Sequence, residues 1–462
     1  MTTLDNILRQ AKRMVDPILV EEKKILDIAE DVRQRVEDAS MGNLTVHSVE
    51  IGGSVAIGTW LYDDVDVDIF VKFDSAISKK RLEDLGVKIG RDALVPNESI
   101  LRYSEHPYVE GFIDGIRVNI VACYDVPKGL WKSSADRSPY HTVFMKNRFD
   151  KSLKIETRLL KKFLKMVGFY GAEIQVQGFS GYVCEVLVLK YGSFISVLKA
   201  VSTLMGDEIL SLNDVNEDVA KQFDTQLVIL DPVDNHRNLG AAISPANVAA
   251  FIMASRSFLQ NPSLSFFKGT SISKMTANVK KSPILDYLSV VIFQHEPRNA
   301  DILWGQLHRS VNSLSKQMSK SGFNVLRTSV ASDENSFSGF IFLLGSLTLP
   351  KSQIKIGPNV NMRDEVSRFL SSNRKWSKLM WVGHDQRIYV LGERRFLKVE
   401  DLLCSLLDDT VKESGVAPGL KRAIESGFEV ISGKNIVKAT VRRHWLVEAL
   451  HRVVVTDEFS LG

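Results

Sequence analysis

The sequence predicts an α+β multidomain protein with a mixed-sheet head, a helical central part and an α+β carboxyl-terminal region. Three observations carry that prediction. The 462 residues suggest about three domains at roughly 100–200 residues each. Apolar residues recur at helical spacing over residues 4–39 and dominate a largely helical stretch over 151–260. Short β-rich runs begin at Thr45 and return after Pro262. The expected divisions are therefore 1–150 for the head, 151–260 for the centre and 261–462 for the remainder.

Each element follows from its local pattern. Leu4, Ile7 and Leu8, then Ile25, Ile28, Ala29, Val32 and Val36, lie along helix faces, and Pro17 breaks the chain between two amphipathic helices. Val46 to Ile51, Val65 to Phe73, Tyr108 to Phe112 and Ile116 to Cys123 read as strands, with Asp114-Gly115 as a hairpin turn before the last. Leu159, Leu160, Phe163 and Leu164 share one helix face, and Pro245 suits the first turn of a later helix. Further on, strand-like segments at Pro283 to Gln294 and Gly339 to Leu344 alternate with helices at Ile302 to Ser321 and Met362 to Ser371.

Composition removes several classes. Hydrophobic residues at 44% and charged residues at 25% match ordinary globular chains, which excludes disordered, collagen-like and coiled-coil readings. No run approaches the ~18 apolar residues of a membrane span, and Met1 to Arg13 lacks an apolar export region, so a cytoplasmic protein without a membrane partner is expected. Cys123, Cys184 and Cys404 are odd in number and far apart; buried, reduced thiols are expected. The net charge of +4 says little, but its distribution says more. Residues 146–165 hold eight Lys/Arg against Asp150 and Glu156. Residues 363–398 hold nine against four acids, interleaved with Trp376, Trp381, Tyr389 and Phe396. Basic charge beside flat aromatic faces suits a phosphate backbone with unstacked bases, although a solvated surface is the plainer explanation of either run alone.

The chemistry concentrates in Gly52-Gly53-Ser54 and Asp66-Val67-Asp68-Ile69-Phe70-Val71. Side chains alternate along a strand, so Asp66 and Asp68 share a face about 7 Å apart while Val67 and Ile69 face the core. Two carboxylates on one rigid face can hold a hard divalent ion, and magnesium keeps its remaining positions for water and phosphate oxygens. The Gly-Gly-Ser turn would bring backbone N–H groups and a hydroxyl to those phosphates. A plain turn and an exposed strand edge would explain either piece by itself.

Together the pieces resemble the signature of the DNA polymerase β-like nucleotidyltransferases. The flanks sharpen the match: Gly58-Thr59-Trp60-Leu61, Tyr103-Ser104-Glu105-His106-Pro107-Tyr108-Val109, Asp136-Arg137-Ser138-Pro139-Tyr140-His141, Tyr170-Gly171-Ala172-Glu173, Gly178-Phe179-Ser180-Gly181-Tyr182 and Asp231-Pro232-Val233-Asp234. These, with Pro262 to Phe267 and Phe369 to Arg374, resemble the class I, archaeal-type CCA-adding tRNA nucleotidyltransferases over nearly the whole chain. The resemblance implies Asp66 and Asp68 as catalytic metal ligands, and Gly53 and Ser54 at the nucleotide phosphates. It further implies His141, Lys161 and Tyr170 as nucleotide contacts, and Arg237 as the residue that selects the base edge together with phosphates of the tRNA. The implied cofactor is Mg2+, and the implied partners are CTP, ATP and the 3′ end and acceptor stem of tRNA. A homodimer stays open.

Two departures stand out. Asn119 lies where the family carries its third catalytic carboxylate, which should chiefly weaken the metal that activates the primer 3′-hydroxyl. Ile57 stands where the family usually has an arginine near the phosphates. Elsewhere, Gly427 to Lys434 fails as a phosphate-binding loop, because five residues separate its glycines and Asn435 replaces the Ser/Thr. His444 and His451 read as helix-face residues rather than zinc ligands. The expected function is template-independent addition of C, C and A to tRNA 3′ ends with release of pyrophosphate. The alternatives are a poly(A) polymerase or oligoadenylate synthetase-like transferase, or a catalytically impaired protein that binds the tRNA 3′ end.

Overall fold

A computed structural model describes residues 3–103, 107–205, 208–212, 222–223, 225, 227–408, 414–441, 443–456, 459 and 461. Ser104, Glu105 and His106 of the quoted motif lie outside the described residues. The chain divides into two units, Met1–Gly269 with Asp457–Gly462, and Thr270–Thr456.

The first unit holds two cores. Helices α1 (Thr3–Val15) and α2 (Leu19–Ser40) flank Pro17 as expected, but they serve different cores. Helix α2 lays Ile25, Ile28, Ala29, Val32 and Val36 into the sheet core, whereas α1 puts Ala11 and Val15 into the helical one. Next come β1 (Val46–Gly52), α3 (Gly53–Ile57), β2 (Asp66–Asp74), α4 (Lys79–Leu94), β3 (Ser99–Tyr103), β4 (Pro107–Ile113) and β5 (Ile116–Asp125). Their order in the sheet is β1-β2-β5-β4-β3, and β2 with β5 is its parallel pair. Val67, Ile69, Val71 and Phe73 of β2 are fully buried on the inner face, as alternation requires. Asp114 and Gly115 both take positive φ, 50° and 79°, as a two-residue hairpin turn between β4 and β5 demands.

The helical core begins with α5 (Arg137–Lys146) and α6 (Lys151–Val167), followed by α7 (Gly181–Tyr191) and α8 (Phe194–Ser202). A short parallel pair, β6 (Glu208–Leu210) and β7 (Leu227–Ile229), precedes α9 (Pro245–Gln260) and α10 (Ser265–Lys268). Side chains of Asp150, Ser180 and Ser244 accept from backbone N–H groups at the starts of α6, α7 and α9, satisfying donors that a helix end leaves unpaired. Leu159, Leu160, Phe163 and Leu164 are completely buried, and Phe163 packs edge-on against Phe194, Phe258 and Phe267. The basic run is not one solvated surface. Arg158 and Lys161 turn inward with the apolar face of α6 and are buried. Among the described residues no single helix is long and apolar enough to cross a membrane; α7 and α8 would pass only as a pair bent by 92°.

In the second unit, α11 (Ile272–Lys281) precedes β8 (Leu288–Gln294), α12 (Ala300–Lys320), β9 (Val325–Ser332) and β10 (Phe337–Leu344). There follow β11 (Ser352–Asn359), α13 (Arg363–Asn373), β12 (Ser377–Val382), β13 (Arg387–Glu393), α14 (Val399–Leu407), α15 (Pro418–Glu425), β14 (Phe428–Ser432), α16 (Ile436–Ala439) and α17 (His444–Val454). One sheet runs β14-β8-β10-β9 and another β11-β13-β12, both antiparallel throughout. The strand expected from Pro283 starts only at Leu288, because Pro283–Tyr287 winds into a 3-10 turn with proline in its first turn. Residues 428–432 of the rejected phosphate loop are a strand paired with β8. In the 363–398 segment, Trp381 stacks on Tyr389 with ring centroids 5.4 Å apart, and Lys355 of β11 lies 4.1 Å over the Trp376 ring. All three cysteines are free; Cys123 and Cys184 are buried as expected, whereas Cys404 is half-exposed.

Candidate active site

The sheet edge of the site is built by close backbone approach. Gly52 pairs with Asp68 across β1 and β2, and the chain turns there into α3. Gly53 has φ +61°, and a Cβ on it would stand 2.2 Å from Asp68 Oδ2. Only glycine satisfies both conditions. The Gly53 N–H is not left free for phosphate, since it donates to Thr142 Oγ1 at 3.2 Å. Ser54 is half-exposed, whereas Ile57 is 3% exposed, packs into the helical core and brings no polar group.

Parallel pairing of β2 with β5 sets Asp66 beside Arg117 and Asp68 beside Asn119. Arg117 donates from Nε to Asp66 Oδ1 at 2.5 Å and from a terminal nitrogen to Asp66 Oδ2 at 2.9 Å, a two-pronged ion pair. Asn119 Nδ2 donates to Asp68 Oδ1 at 3.0 Å. Asp68 is only half-buried as a residue, yet protein crowds its carboxyl. That desolvation raises its pKa to about 6; the Asn119 hydrogen bond opposes the rise, Asp66 adds to it and Arg117 opposes it again. Among the described residues no three His, Cys, Asp or Glu side chains gather as a metal cage, which is what Asn in place of a third carboxylate entails. A divalent ion nonetheless fits the donors present. Asn119 Oδ1 is buried with no hydrogen-bond partner, and with the two aspartates it makes a set of hard oxygen ligands.

The helical side faces this edge. Lys161 is 1% exposed, and its Nζ donates to Glu185 Oε1 at 2.9 Å and Thr59 Oγ1 at 3.1 Å. The ammonium expected to meet phosphate is thus already paired with a buried carboxylate. A Cβ on Gly181 would stand 3.1 Å from Tyr170 Oη and 3.2 Å from Lys161 Nζ, so both groups converge on the start of α7. Burial pushes the Tyr170 hydroxyl well above its ordinary pKa and keeps it a donor. His141 Nε2 lies 2.8 Å from Asp231 Oδ2, its ring stacks on Tyr182 at 4.1 Å, and Arg237 reaches the same carboxylate oxygen at 3.4 Å. Asp231 is completely buried. Burial alone would raise its pKa, but the hydrogen bond and charge of His141, the Val233 N–H and Arg237 hold it below the ordinary carboxylate value.

All ten expected residues, Gly53, Ser54, Ile57, Asp66, Asp68, Asn119, His141, Lys161, Tyr170 and Arg237, line one cleft of about 660 Å3. Tyr182 and Glu185 line it too. Sequence reasoning missed them, together with the buttresses Thr59, Asp231 and Arg117. Thr59, Tyr182 and Asp231 lie inside the quoted motifs and were open to notice; Glu185 and Arg117 carry no local signal, since their partners are 24 and 51 residues away.

Residues 27–144 match the nucleotidyltransferase domain family, 155–268 the second domain of tRNA nucleotidyltransferases and 286–433 the C-terminal domain of CCA-adding enzymes. A CCA-adding enzyme of Methanocaldococcus jannaschii is 33% identical, covering 90% of this chain and 93% of its own length. One of Pyrobaculum neutrophilum is 34% identical over 87% and 94%, and one of Methanopyrus kandleri 31% over 99% and 98%. Among solved structures, Escherichia coli MS115-1 CdnC with ATP gives a TM-score of 0.44 at 20% identity over 58% of this chain and 95% of its own. The Cid1 poly(U) polymerase with Mg and 3′-dATP gives 0.45 at 13% over 57% and 98%. The sequence matches, spanning both units and running through the cleft, show that the chain belongs to the archaeal-type CCA-adding enzymes, a family of tRNA nucleotidyltransferases.

Proposed function

We propose that the chain adds C, C and A to tRNA 3′ ends from CTP and ATP at this cleft. The observation that carries the reading is the gathering of ten residues, scattered from Gly53 to Arg237, around one cavity. The RNA 3′-hydroxyl loses its proton to solvent, its oxygen forms a bond to the α-phosphorus as the bond to the bridging oxygen breaks, and pyrophosphate leaves. Asp66, Asp68 and the Asn119 amide oxygen would hold Mg2+, which when bound neutralises phosphate charge and favours the attacking alkoxide. Ser54 and Tyr170 offer hydroxyls to the phosphates. Lys161, fixed by Glu185, supplies an oriented donor more than a free charge. His141 and Arg237, braced on Asp231, present ring and guanidinium edges to the base.

The division at 1–150, 151–260 and 261–462 assigns catalysis to the head, nucleotide contacts to the centre and tRNA anchoring to the remainder. The stacked Trp381 and Tyr389 and the basic residues of 363–398 support the last assignment. A cytoplasmic setting belongs to the same proposal, in keeping with a tRNA substrate. The ten cleft residues come from one chain; light scattering decides the homodimer. Residues 286–433, matching the CCA-adding carboxyl-terminal domain, disfavour the poly(A) polymerase alternative. A second reading, binding of tRNA ends with little turnover, is favoured by Asn119 alone. Incubation of tRNA lacking its 3′ CCA with CTP, ATP and Mg2+ should extend it by three nucleotides, and Asp66→Ala or Asp68→Ala should abolish extension while tRNA binding persists. Extension by both variants would remove the assigned site; tight binding without extension by the parent chain would select the second reading.

A further inference from the structure

We propose that Arg117 is a built-in counter-ion that occupies the Asp66 carboxylate until a divalent ion arrives with the nucleotide. The inference rests on the reading that Asp66 and Asp68 hold the metal, and deepens it. Arg117 and Asn119 sit two residues apart on β5, opposite Asp66 and Asp68 in register, so both side chains face the same carboxylate pair. The guanidinium engages both oxygens of Asp66, the geometry in which an arginine satisfies a carboxylate most completely. Two carboxylates against one guanidinium leave a single net negative charge. A third carboxylate without the arginine would leave three. A free divalent ion gains much less from the first arrangement, and it must also displace a cation.

Displacement is feasible by geometry. The Arg117 side chain is 40% exposed. Asp64 lies 3.8 Å from the guanidinium and gives it a carboxylate to move to when Asp66 is taken. A nucleotide changes the balance, because its triphosphate brings several negative charges to the cleft and an ion bound to it no longer depends on the protein for most of its ligands. Metal and nucleotide binding should therefore be strongly coupled, each tightening the other by the same factor.

The test uses Mn2+ as the probe, with binding read by electron paramagnetic resonance and calorimetry on the full chain without nucleotide. Arg117→Gln should tighten Mn2+ by roughly tenfold, equivalent to about 1.4 kcal/mol, and Asn119→Asp should tighten it again. With a non-hydrolysable CTP analogue present, the gain from Arg117→Gln should shrink. Thermal unfolding checks that the variants are folded, and Asp68→Asn serves as the site control. If Asp68→Asn removes binding while Arg117→Gln binds no more tightly than the parent, or not at all, the counter-ion role is overturned. If Mn2+ binds the parent and Asp68→Asn equally, the metal-site reading itself fails.

Discussion

Gly53→Ala is the most direct perturbation of the site, and its cost follows from two separate features of one residue. Alanine at φ +61° is strained by about 1–2 kcal/mol, which in a unit of this size lowers the melting temperature by a few degrees. The new Cβ would also meet Asp68 Oδ2 at 2.2 Å, and an ordinary contact begins at 3.4 Å, so the carboxylate or the turn must shift by about 1.2 Å. Asp68 cannot swing aside without loss, since Asn119 Nδ2 holds its other oxygen at 3.0 Å. A displacement of about 1 Å at a reacting centre commonly costs on the order of 100-fold in rate. Single-turnover addition of CMP to tRNA lacking CCA measures the chemical step, and a melting curve measures the fold. The expected result is a rate loss near two decades with a modest thermal shift. An unchanged rate in a folded Gly53→Ala protein would refute the argument that Asp68 must stay where the glycine lets it lie.

Three further outcomes are expected. Asp231→Asn should raise KM for CTP and ATP about tenfold with a smaller change in kcat, because His141 and Arg237 lose the buried charge that orients them; equal shifts in a variant at an uninvolved surface site would remove the effect's meaning. Glu185→Gln should destabilise the first unit by about 3–5 kcal/mol in urea unfolding, as the Lys161 ammonium is left buried without its counter-charge, and Lys161→Met in the same protein should restore much of the loss. In the metal-free protein, Asp68 has its folded pKa raised to about 6, so its contribution to stability is full below the unfolded value and lost as pH rises through 6. Melting in chelator should therefore show a decline from pH 4 to 7, worth at most about 3 kcal/mol and less with solvent screening, that Asp68→Asn abolishes.

The strands and turns that carry the site were legible because their signals are local. Gly52-Gly53-Ser54, the alternation through Asp66 to Val71 and the Asp114-Gly115 turn each express a backbone requirement within a few residues. The short strands β6 and β7 were not, since three residues carry no periodicity, and β11 to β13 were hidden by apolar residues left exposed on one face, including Ile354, Ile356 and Leu379. Burial of Arg158 and Lys161 could not be read either. A charge count along residues 146–165 sees eight cations, whereas the helical phase of α6 turns two of them toward carboxylates at Asp16 and Glu185.

Those hidden partners change what the cleft can do. At an effective dielectric of about 20, a bare cation 4 Å from a phosphate charge would be worth roughly 4 kcal/mol, so free cations would bind any triphosphate tightly and indiscriminately. Here Lys161 meets Glu185 and Arg237 reaches Asp231. Each pair is nearly neutral at a distance, and what survives close up is direction: a donor locked in one orientation by its own carboxylate. Charge of that kind contributes little to holding a nucleotide and much to rejecting one whose edge is wrong, because a mismatched base leaves a fixed donor unpaired. A polymerase without a template has to choose between C and A by such fixed edges. Pairing Lys161 and Arg237 with buried carboxylates suits the cleft to a choice of that kind.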